Sequence, residues 1–116
     1  DPHTFLRKMH GDLKDNGLLV ITVPPVQHAI VGGHFSLWNA GQLLYHLVRA
    51  GFDCRRARIK QYGYNISVLV RKAPIPEDAV PKEPNYPIGR LKDYLPEGLT
   101  WKGNCFNGDI RELNWT

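Results

Sequence analysis

Cysteine and long apolar runs are scarce in this 116-residue chain, and each scarcity removes a class of protein. No run approaches the roughly 20 apolar residues that a membrane-crossing helix needs, so a transmembrane span is excluded. Cys54 and Cys105 stand far apart in dissimilar contexts, with no paired cysteines or histidines at zinc-ligand spacing. Both are read as reduced thiols of a cytoplasmic protein, with a single disulfide as the competing reading. No metal site is expected. Asp1 rather than a methionine opens the chain, with no basic-then-apolar leader, and the natural beginning is expected upstream.

A concentrated basic patch is also missing, although the formal net charge is +4. The densest cluster, Arg55, Arg56, Arg58 and Lys60, mostly alternates around Ala57 and Ile59, as the solvated face of a strand does. Nucleic acid is therefore not expected as a partner.

What is present reads as alternating helices and strands. Asp1 is placed to cap a helix whose first position is Pro2, with Leu6, Met9 and Leu13 on one face and Phe5 beside them. The turn from Lys14 to Gly17 stops that helix. Leu18 to Val23 is a continuous apolar run closed by Pro24 and Pro25, the pattern of a parallel strand buried on both faces. The stretch to Phe35 lacks either periodicity and is read as a loop. Ser36 is the expected N-cap of a second helix carrying Leu37, Ala40, Leu43, Leu44, Leu47 and Val48, which Gly51 ends. Phe52 to about Lys60 is expected to be extended and to turn through Gln61 to Tyr64 into Asn65–Arg71 as an antiparallel hairpin.

From Ala73 prolines crowd the chain, and residues 73–116 are read as a Pro-rich arm with an aromatic tail. Ile88 to Tyr94 is expected to form a helical turn, and Asn107-Gly108 a short hairpin. Residues 1–72 are then one portion of an α/β domain.

The order and spacing of these pieces resemble the later half of Rossmann-like methyltransferases. Asp1-Pro2 opening a helix, Leu13-Lys14-Asp15-Asn16-Gly17 as the turn and Leu18 to Pro24 as a strand ending in proline are similar to the family's helix after strand four and its strand five. His34-Phe35-Ser36-Leu37, then Leu43-Leu44 and Ala50-Gly51-Phe52, is similar to the family's histidine and aromatic pair before a helix ending in Ala-Gly-Phe. Tyr64 to Lys72 is similar to its last strand. Asp15-Asn16 replaces the family's Pro-Gly, and the Trp38-Asn39-Ala40-Gly41 context resembles methyltransferases of surface-polysaccharide synthesis.

The resemblance implies a partial Rossmann-like methyltransferase sheet with strands five, six and seven, strand seven lying antiparallel between the other two. It implies S-adenosylmethionine as cofactor and a small-molecule or sugar acceptor. The glycine-rich turn after strand one and the acidic residue after strand two, which hold the cofactor in the family, have no counterpart here. No cofactor ligand is assigned, and the N-terminal half of the fold becomes an expected partner. The chain alone is expected to be inactive.

Ligands of open α/β sheets bind beyond the carboxyl ends of the strands, which places the loop from Pro24 to Phe35 beside the acceptor. His28 and His34 are the candidate bases, because imidazole changes charge near neutral pH. Trp38, Tyr62 and Tyr64 are candidate acceptor contacts. Plainer readings compete for each: loop order for His34, simple exposure for His28, a loop cover for Trp38, and cross-strand packing for the tyrosines. His3, His10 and His46 fall on helices without metal spacing. A non-enzymatic α/β interaction module is the alternative function, and an exposed sheet edge would permit a homo-oligomer under either reading. The methyltransferase reading requires Leu18–Val23 to be an interior parallel strand that leads the next residues to a cleft rim.

Overall fold

The computed structural model describes residues 1–25, 38–83 and 85–115. These form an α/β protein built on a four-stranded antiparallel sheet, with helices packed on one face.

Helix α1 (Pro2–Asp12) starts as the residues dictate: the Asp1 carboxylate accepts from the His3 amide at 3.0 Å, and Pro2 occupies the first turn. The Leu13 amide still donates to Met9, and the Lys72 ammonium donates to the carbonyls of His10 and Leu13 at 2.6 and 2.9 Å. A cation thus satisfies carbonyls that the end of the helix leaves free. Leu6 is the residue of α1 that is fully buried.

Strand β1 (Leu18–Val23) pairs antiparallel with β3 (Asn65–Arg71), which pairs antiparallel with β2 (Arg58–Tyr62), giving the order β1-β3-β2. The expectation of an interior parallel strand is corrected here. β1 lies at the margin, its one neighbour among the described residues is antiparallel, and Leu18 and Val20 are 45% and 58% exposed. An apolar run records what each side chain would tolerate, whereas burial on both faces needs a second layer and a second neighbouring strand, and among the described residues neither covers β1.

Leu19, Ile21 and Val23 stand opposite Val70, Val68 and Ile66, and this face meets the helices. Helix α2 (Ala40–Arg49) presses Leu43, Leu44, Leu47 and Val48 onto it. Its N-cap is Asn39, whose side-chain oxygen accepts from the Gln42 amide at 2.7 Å, not Ser36. Ser36 and Leu37 lie outside the described residues. Gly51, at φ +108°, ends the helix turn, and Phe52 is fully buried beneath it.

The hairpin between β2 and β3 turns on Gly63 and Tyr64, and the extended segment before it becomes strand only at Arg58. A 3-10 helix, Ile88–Tyr94, sits where a helical turn is expected, and its Leu91 joins Leu95 in the main core. Ile75, Val80 and Tyr86 of the Pro-rich stretch also pack against that core. The tail makes a two-stranded ribbon, β4 (Trp101–Lys102) with β5 (Cys105–Phe106), and then β6 (Glu112–Leu113), which joins the sheet beside β2.

The tail hairpin is displaced from its expected place. Gly103, at φ +61°, and Asn104 make the turn, while Gly108 packs against Gly41 of α2. Gly-Asn suits a two-residue turn as well as Asn-Gly does, and the docking of Gly108 removes it from the competition.

Candidate functional site

The loop that should border an acceptor leaves β1 at Val23, and the described chain resumes at Trp38. The Trp38 amide donates to the Pro24 carbonyl at 3.1 Å, and Pro25 and Trp38 form a parallel bridge. Pro24 and Pro25 are therefore held directly against Trp38. His28 and His34 lie in that interval, outside the described residues.

Trp38 is 8% exposed and sets its ring edge-on to His46, with centroids 5.1 Å apart. It lines a groove of about 380 Å³ with Phe5, Met9, Ile21, Val23 and Leu43, running along β1 between the sheet and the helices. Apart from one threonine the walls are apolar, so the groove offers area rather than directed hydrogen bonds.

Tyr62 is on the other face. It stands opposite Asn65 and shares that face with Ser67 and Thr22; its hydroxyl lies 3.0 Å from Ser67 Oγ, which lies 3.0 Å from Thr22 Oγ1. Ser67 is 4% exposed, and this chain of hydroxyls satisfies it inside the sheet. Tyr64, 70% exposed, stands at the tip of the hairpin. Trp38 and Tyr62 thus do not face one pocket.

The hydroxyl chain escaped the reading by residue type. Its signal was a serine between Ile66 and Val68 in an otherwise apolar strand, since a buried polar residue calls for partners on the same face. Hydroxyls both donate and accept, so Tyr62, Ser67 and Thr22 suit neutral polar groups rather than acid-base work.

Three histidines gather where α1 meets α2. Burial first, then Arg49 and His3, holds His46 below the usual histidine range. Burial, then Lys72 and Arg7, does the same to His10, whose ring stands edge-on to Phe52 at 4.8 Å, while the Gly51 backbone and Asp15 oppose the shift. His3 is lowered by burial, Arg49 and Arg7. Imidazoles held low by burial and by neighbouring cations thus line the junction of the two helices. Among the described residues no group of three or more histidines, cysteines and carboxylates is placed to hold a metal ion, and no helix is long and apolar enough to cross a membrane.

Comparison with known proteins finds no family model, no curated protein and no solved structure that matches this chain.

Proposed function

We propose that the chain is the acceptor-side portion of an S-adenosylmethionine-dependent, Rossmann-like methyltransferase that acts on a small-molecule or sugar acceptor in the cytoplasm. The observation that carries this reading is the strand order β1-β3-β2, with the last strand inserted antiparallel between the two earlier ones. Local sequence does not dictate that order, and it is the order that the resemblance implies for strands five, seven and six. The reading carries a condition, because β1 is marginal: a parallel strand must join its free edge in the working protein, and without one the reading falls.

S-adenosylmethionine would supply an electrophilic methyl group, and its ligands would belong mainly to residues outside these 116. The contribution of this chain is positioning, which can supply much of the acceleration of a bimolecular transfer. Residues 26–37, read from the sequence as a loop, would border the acceptor, and His28 or His34 would accept a proton if the acceptor atom carries one. Trp38 orders the loop's exit, while Tyr62 and Tyr64 offer contacts on the opposite face and would serve only an acceptor reaching around the end of the sheet.

The test is transfer of labelled methyl to a pool of sugar and nucleotide-sugar acceptors by the polypeptide as encoded. Replacing both His28 and His34 with asparagine should slow a proton-coupled transfer by about 10²-fold or more. Absence of transfer to any acceptor contradicts the proposal, and transfer at an unchanged rate removes the histidines from it.

The second reading, a non-enzymatic interaction module, draws on one observation. The tail covers the β2 edge through β6 and leaves the β1 edge unpaired among the described residues. An uncharged, unbroken margin is a template for another strand, so a homo-oligomer through β1 belongs to both readings.

A further inference from the structure

On the sheet face turned away from the helices no described residue covers Leu18 or Val20, 45% and 58% exposed, and the residues are sorted. Leu18, Val20 and Leu69 form an apolar strip over β1 and β3. At one end of the strip stand Arg58 and Arg71, both exposed; at the other end Tyr62, Ser67 and Thr22 satisfy one another. Lys60 shares the face, 3.7 Å from Glu112, and among the strand residues of this face only Glu112 is acidic. Neither Arg58 nor Arg71 has a carboxylate partner among the described residues; Arg71 donates instead to the Asn16 carbonyl at 3.2 Å.

The geometry points to this face as the docking surface for an amphipathic helix with acidic flanks. Strands lie about 4.8 Å apart, so the row from Val20 through Leu69 to Arg58 is about 10 Å wide, close to the roughly 10–12 Å diameter of one helix. An apolar helix stripe would cover Leu18, Val20 and Leu69, which a sheet ordinarily buries under a second layer. Carboxylates on its flank would meet Arg58 and Arg71, and guanidinium groups bind carboxylates in a matched, two-point geometry.

Other occupants fit less well. A second copy laid face to face would set Arg58 and Arg71 near their own duplicates, where like charges repel. A nucleic acid needs a longer row of cations along its phosphates than Arg71, Arg58 and Lys60 make, and Lys60 already lies 3.7 Å from Glu112. The inference does not use the methyl-transfer reading, under which the missing half of the fold would itself reach this face.

The probe is a fluorescein-labelled peptide of about four helical turns, with leucines on one stripe and glutamates on its flanks. Its twin carries lysine for every glutamate. Fluorescence anisotropy with the 116-residue chain should show saturable binding of the acidic peptide and none of the basic one. Val20→Asp should weaken that binding roughly ten-fold or more, and the double substitution Arg58→Glu with Arg71→Glu should transfer preference to the basic twin. All three positions are exposed, and circular dichroism checks that each variant folds; should Val20→Asp fail to fold, the arginine pair decides. Equal binding of both peptides, binding of neither, or binding indifferent to the substitutions overturns the proposal. So does tighter binding to phosphatidylserine vesicles or to a mixed-sequence oligonucleotide than to the acidic peptide.

Discussion

The backbones of Gly41 and Gly108 meet directly: the Gly41 amide donates to the Gly108 carbonyl at 3.0 Å, fastening the tail to the first turn of α2. A side chain at Gly41 has no room. Its Cβ would stand 2.5 Å from Gly108 Cα and 2.8 Å from the Phe106 ring. Gly41→Ala should destabilise the fold by about 1–3 kcal/mol, the usual cost of overpacking, despite alanine's better helix propensity. Urea denaturation measures the loss, and limited proteolysis should cut the variant first in the tail. An unchanged midpoint would mean that the tail is not held at this point.

The two thiols should separate cleanly by reactivity. Cys54 is fully buried, and burial together with Asp53 pushes its thiol far above the ordinary range, whereas Cys105 is exposed in the tail ribbon. Only the thiolate reacts, so native protein should titrate with a single equivalent of thiol reagent and denatured protein with two. Modification of both in the native state would contradict the packing of Phe52 and Cys54 under α2.

Acid should weaken the junction of α1 with α2. His3, His10 and His46 are all lowered in the fold from 6.5, so below that pH the unfolded chain takes up protons that the native chain resists. Their contribution is complete above 6.5 and is lost as pH falls toward the depressed native values. The melting temperature should therefore drop on acidification below 6.5, and less steeply in His46→Phe, which keeps an aromatic ring against Trp38. An equal slope in the two proteins would remove His46 from the account.

The β1 edge, unpaired among the described residues, should make the chain self-associate. Sedimentation velocity should show mass rising with concentration, and Val20→Lys, a charge beside the edge, should return it to monomer. A monomer at every concentration would mean that the edge is protected.

How far the sequence foretold all this depends on whether a feature was local. Asp1-Pro2, the turn into Leu18, the stripe of α2 and the glycine between Tyr62 and Tyr64 each act within a few residues, and each appears where expected. The start of α2 was misread although Asn39 and Gln42 carry a capping pattern of their own, because Ser36 competed with the same chemistry. Burial of β1 was overestimated, since a hydrophobic run does not say how many neighbours it has. The hydroxyl chain of Thr22, Ser67 and Tyr62 joins residues 45 and 5 positions apart, and only strand register brings them together. The docking of Gly108 onto Gly41 is long-range for the same reason.

Titration calorimetry with S-adenosylmethionine, on a polypeptide that contains the proposed cofactor-binding half and on the 116 residues alone, decides whether this chain belongs to a methyl-transfer fold. The former should take up the methyl donor saturably and the latter should not. Micromolar affinity in the 116 residues, or no affinity in the longer polypeptide, would contradict it.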